Sequence, residues 1–159
     1  MSQGTFGKRI LRLISKDPDE DARLIKRGEK LTDDARCIFR EYFIEDKDDV
    51  IMKILLNCFN ALKKVFPDEW MRPKEYILWK TTGFNAVIDS LPVIYKYGTD
   101  RKDLTAGLFE NVFNQFKGII EEKHIRLTSE HFGSGESETK KLKDLICEAV
   151  KKQAESETL

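Results

Sequence analysis

The chain has 159 residues, 40% of them apolar and 35% charged, and its 28 Lys+Arg are balanced by 28 Asp+Glu. That length fits one domain able to bury about two-thirds of its unfolded surface, and ten Phe argue against disorder. Zero net charge excludes a general electrostatic pull toward nucleic acid and leaves room only for a local basic patch.

No apolar run approaches the roughly 18 residues that a membrane span requires. The charged start, Met1–Arg9, lacks the pattern of a signal peptide. Cys37, Cys58 and Cys147 lie far apart, two of them within apolar helical patterns, and read as buried reduced thiols. The expectation is a cytoplasmic protein with no membrane contact.

Phe6, Ile10, Leu13 and Ile14 make a helical stripe over Phe6–Ile14, with Lys8, Arg9 and Arg12 elsewhere on the turn. Asp17-Pro18-Asp19-Glu20 opens the next helix: Asp17 caps, Pro18 suits the first helical position and Glu20 completes a capping box. That helix runs to about Arg27, where Gly28 serves as a left-handed terminator. Thr32-Asp33-Asp34 offers a cap before a helix over Ala35–Ile44, although the composition of Cys37–Ile44 keeps a strand as an alternative.

Asp48 and Asp49 open the clearest helix. Val50, Ile51, Ile54, Leu55, Cys58, Phe59, Leu62, Val65 and Phe66 give it a wide apolar stripe, which predicts a central helix contacted on more than one side. Pro67 forces its stop. Tyr76-Ile77-Leu78-Trp79 is too short to classify by period. Gly83–Tyr97 reads as a helix with Phe84, Val87, Ile88, Leu91, Ile94 and Tyr95 inward; Pro92 should kink it or divide it after Ser90, and Gly98 should end it.

A long helix follows from about Leu104 to His124, with Leu108, Phe109, Val112, Phe113, Phe116, Ile119 and Ile120 on one face. Ser129–Glu138 is a loop, and Ser134 or Ser137 caps a last helix facing inward through Leu142, Leu145, Ile146, Ala149 and Val150. Gln153 to Leu159 should fray. The expected fold is all-α: a single helical domain over residues 1–155, an irregular bundle of about six helices around the Asp49–Phe66 helix, and a frayed tail at 156–159.

The string Phe66-Pro67-Asp68-Glu69-Trp70, followed by Leu78, Lys80, Thr81, Thr82, Gly83, Phe84 and an apolar helix, resembles the C-terminal helical region of the DGQHR-domain proteins. These include the DndB-like proteins associated with DNA phosphorothioation clusters. The likeness covers about Asp49–Tyr97. It implies that this chain is the C-terminal part of such a protein, or a short relative, acting beside DNA modification or defence. The Asp-Gly-Gln-His-Arg string that names the family is not in this sequence, so no chemistry of that part is carried over.

No spacing marks a catalytic, cofactor-binding or metal site. His124, His131 and Cys147 lack ligand spacing, and the acidic runs Asp17–Asp21 and Glu45–Asp49 lack the alternation of a calcium loop. The leading reading is a non-enzymatic interaction domain contacting a protein partner, a missing N-terminal domain, or nucleic acid, with a homodimer also open. Its candidate contact residues are Arg72, Lys74, Trp79, Lys80, Thr81 and Thr82, with Trp70 as a buried anchor. The alternative is a nucleotide- or phosphate-dependent enzyme using Lys80-Thr81-Thr82-Gly83 or Gly133–Lys140. The plainer reading of the first segment is a threonine-capped helix start with a packing glycine. The second lacks the Gly-Lys-Ser/Thr ending of a phosphate loop.

Overall fold

Helical periodicity is realised wherever the apolar stripe is long. The computed structural model describes residues 3–158, and among them are eight helices, no strand and one isolated bridge between Tyr76 and Thr128. The helices are α1 (Gln3–Leu11), α2 (Pro18–Lys26), α3 (Arg40–Ile44), α4 (Asp48–Val65), α5 (Pro67–Met71), α6 (Thr81–Asp100), α7 (Ala106–Glu122) and α8 (Glu136–Ser156). The all-α expectation therefore holds. Contacts group the chain into a smaller unit, Ser2–Lys53, and a larger one, Ile54–Leu159, and α4 carries the backbone from one to the other.

In the smaller unit, Leu13, Cys37, Phe39 and Ile51 are buried. So few apolar residues leave much of the work to one polar cluster. Arg40, 6% exposed, donates from Nε to the Thr32 carbonyl at 2.6 Å and from Nη1 to the Ile14 carbonyl at 3.3 Å. The same guanidinium grips Asp21 with both ends, at 2.6 and 3.0 Å, and Ser15 Oγ donates to that carboxylate as well. One side chain thus ties the end of α1, α2, the 29–34 loop and α3.

Asp17 accepts from the Glu20 N–H at 3.0 Å, and Pro18 holds the first helical position, as the sequence predicts. Gly28, at φ +72°, closes α2: the Gly28 N–H reaches Ile25 O and the Glu29 N–H reaches Leu24 O.

Three expectations fail here. The first helix spans Gln3–Leu11 rather than Phe6–Ile14, and it buries Arg9 while Phe6 stays exposed. The helix expected over 35–44 forms only at Arg40–Ile44. Asp34 turns its side chain to the Arg36 N–H and guanidinium, and the Phe39 N–H donates to Leu13 O, so the donors a helix needs are engaged elsewhere. The alternative strand at 37–44 is absent.

In the larger unit α8 packs along α6 and α7. Every residue of the expected α7 stripe is buried, and α6 is the most completely covered helix. α4 stops at Val65 and Pro67 starts α5. Pro92 does not divide α6, which runs unbroken to Asp100. Gly98 does not end it either. A Cβ there would lie 2.4 Å from Asp103 O, so this glycine permits the chain to fold back against the helix. The left-handed terminator is Lys102 instead, at φ +56°, with the Asp103 N–H on Gly98 O. His124 ends α7 the same way, at φ +54°, with the Ile125 N–H on Ile120 O.

α8 has Gly135 at its N-cap and no side-chain cap, so neither Ser134 nor Ser137 caps it. Nor does its end fray at Gln153. It is helical to Ser156, and Glu157 accepts from Tyr97 Oη and from Arg101 Nε at 2.6 Å; Leu159 lies outside the described residues.

Arg40 anchors the first prediction. Removing one partner of a buried ion pair costs about 3–5 kcal/mol. In Arg40→Ala, hydrogen exchange should rise first at the smaller unit's amides, such as Phe39. Arg40 holds the Asp21 carboxyl below its usual value of 3.8. Because the folded value is the depressed one, this stabilisation is complete above about pH 4–5 and is lost as pH falls through 3.8 toward the folded value. Protection of the Phe39 amide should fall over that window in the wild type and be less pH-dependent in Arg40→Ala.

Candidate functional site

The connector between α5 and α6 is held by backbone contacts rather than by its side chains alone. The Ile77 N–H donates to Leu127 O at 2.9 Å, and the Lys80 N–H to Ile77 O at 2.9 Å. The segment 77–78 then crosses α6 at Gly83. A Cβ on Gly83 would stand 2.1 Å from Ile77 O and 2.7 Å from Leu78 Cα, distances that real Cβ atoms do not reach. Only glycine allows this crossing, which fulfils the packing role expected of it.

An aromatic ladder backs the connector. Trp70 meets Trp79 edge-on at 4.0 Å, Trp79 stacks on Phe59 at 6.2 Å, and Phe59 stacks on the buried Phe84 at 5.9 Å. Both tryptophans are half-buried. Trp70 is therefore not the fully buried anchor expected, because it caps the outer end of the ladder.

Lys80, Thr81 and Thr82 come together with Ser129, Gly133 and Ser134 around a cleft of about 420 Å³ floored by Ile77. Lys80 Nζ donates to Ser129 Oγ at 2.7 Å. Thr81 is exposed, while Thr82 is 6% exposed with its Oγ1 3.5 Å from the Gly133 carbonyl. Neither threonine caps α6: the N-cap is Lys80, with no side-chain cap. No carboxylate lines the cleft.

Arg72 and Lys74 are exposed and outside it. The Arg72 guanidinium is engaged locally, 3.1 Å from Glu75, 2.9 Å from Tyr76 Oη and over the Tyr76 ring. Lys140, the cation of the Gly133–Lys140 segment, pairs with Asp144 at 2.6 Å.

Ser129 and Ser134 belong to the cleft; Ser134 falls within the Gly133–Lys140 segment singled out in the sequence, but nothing there brings either serine to Lys80, about fifty residues away. Asn85 was also missed. It lies one turn along α6 from Thr81 and Thr82, 6% exposed, and its Oδ1 has no hydrogen-bond partner. Such an orphaned acceptor costs about 1–3 kcal/mol. Burial pushes the Cys58 thiol up to about 12 and raises those of Cys37 and Cys147 as well. No helix among the described residues is long and apolar enough to cross a membrane.

The ladder yields a coupling prediction. Neither Trp70→Ala nor Trp79→Ala should cost the roughly 3–5 kcal/mol of a fully buried Trp. Urea melts of the two single variants and the double variant should show a coupling of about 0.5–1.5 kcal/mol, as expected for an edge-on aromatic pair. A coupling near zero would mean that the pair does not form.

No family model matches the chain, and neither the curated proteins nor the solved structures contain a match to it.

Proposed function

We propose that the chain is a non-enzymatic helical interaction domain, the C-terminal helical part of a DGQHR-type protein or a short relative of one. Its contact face is the 70–82 connector together with the 129–134 loop. The observation that supports this is the convergence of those two segments on one cleft, held by the Gly83 crossing and the Ile77–Leu127 hydrogen bond. The family-like string divides accordingly. Leu78, Gly83 and Phe84 are buried and Trp70 closes the aromatic ladder, while Lys80 and Thr81 remain at the surface.

Nucleic acid is the partner that this face favours. Lys74 and Lys80 present cations along one connector, beside hydroxyls and two half-buried tryptophans, while the Arg72 guanidinium is taken up by Glu75 and Tyr76. Fluorescence anisotropy with a short DNA duplex tests it. Binding should weaken linearly in log–log with salt, with a slope of about −0.9 per phosphate neutralised. Lys74→Ala and Lys80→Ala should each flatten that slope by about one contact. No binding by the wild type at low salt would dispose of the nucleic-acid partner.

A further inference from the structure

We propose that the groove between the ends of α2 and α3 is a self-association face, occupied by the same groove of a second copy of this chain. It encloses about 500 Å³ within the smaller unit and is lined by Ile25, Lys30, Leu31, Phe43, Ile44 and Asp46. Four of the six are apolar, and water still reaches them: Ile25 is 52% exposed and Ile44 37%, with Leu31 and Phe43 half-buried. Covering such a cluster is favourable.

The two charged members say what covers it. Lys30 and Asp46 carry opposite charges, yet neither pairs with the other or with any other described residue. Turns that close the two helices fix both. The Glu29 N–H on Leu24 O places Lys30, and the Lys47 N–H on Tyr42 O places Asp46, at φ +56°. A two-fold axis through the groove sets Lys30 of each copy against Asp46 of the other, completing two ion pairs around one apolar contact. A two-fold face must be self-complementary, and one cation, one anion and an apolar centre meet that requirement. A partner segment of single sign would leave one of the two charges unmatched. With 28 basic and 28 acidic residues, two copies also meet without net repulsion. One groove is small beside the roughly 1,200–2,000 Å² of a stable interface, so the dimer is weak and depends on concentration.

Sedimentation equilibrium of the full chain over rising concentration tests the face. The wild type should pass from monomer to dimer. Lys30→Glu and Asp46→Lys should each weaken that dimer about tenfold or more, because each reversal turns two attractions into repulsions. A lysine fits position 46, since Lys102 holds the same φ of +56° at the end of α6. An equimolar mixture of the two variants should dimerise like the wild type, because both pairs across the mixed dimer are again of opposite sign. The double variant should do so alone. Ile25→Ser should weaken the dimer and leave the melting temperature unchanged.

A wild type that stays monomeric at every concentration overturns the proposal and leaves the groove to a partner of other chemistry. A dimer indifferent to both reversals overturns it too, by assigning association to another surface. Loss of the dimer in both single variants without recovery in the mixture removes the Lys30–Asp46 pairing, and the two-fold face with it. The groove shares no residue with the 70–82 connector or the 129–134 loop, so either face stands if the other fails.

Discussion

The backbone of Ile77 and Leu78 occupies the space that any side chain at position 83 would need. That crossing is a steric constraint with directional consequences. It lays the connector across the first turn of α6, which orients the Ile77 N–H toward Leu127 O and so draws in the chain that follows α7. The 129–134 loop then has a fixed place beside Lys80 and Thr82. On its other side the connector leans on Trp79 and Phe59, which pass the contact to the buried Phe84. The cleft is thus a by-product of one missing Cβ.

The smaller unit solves a different problem. With few buried apolar side chains, it closes around the guanidinium of Arg40, whose donors reach two backbone carbonyls and both oxygens of Asp21. Desolvating that pair is unfavourable, and the added hydrogen bonds offset it. This arrangement makes the unit's integrity depend on one carboxylate remaining ionised, whereas the larger unit rests on close-packed helices.

Much of the fold was legible because α4, α6, α7 and α8 carry long stripes at helical period, and periodicity is a local signal. Asp17 and Gly28 were legible for the same reason, since caps act over three or four residues. What escaped was non-local or depended on backbone shape. Nothing in the sequence pairs Arg40 with Asp21, nineteen positions away, or the Phe39 N–H with Leu13 O, the contact that helped shorten the helix expected at 35–44. Pro92 and Gly98 looked like helix breakers, yet tertiary packing overrode both, and terminal left-handed positions fell to Lys102 and His124. At the site, Gly83 and the Lys80–Thr82 string stood out in sequence. Their meeting with Ser129 and Ser134 did not, and Arg72 and Lys74 fell outside the cleft.

Gly83→Ala decides between constraint and propensity by sign. Helix propensity alone favours alanine over glycine by about 1 kcal/mol inside a helix. A Cβ 2.1 Å from a carbonyl oxygen must instead displace backbone, and overpacking of that kind costs about 1–3 kcal/mol or more. Hydrogen exchange on the Ile77 amide, measured with the urea midpoint, reads both effects. The account predicts that Gly83→Ala lowers the midpoint and strips protection from Ile77 while α7 amides such as Phe113 keep most of theirs. A variant that gains stability with the Ile77 amide as protected as in the wild type would contradict it.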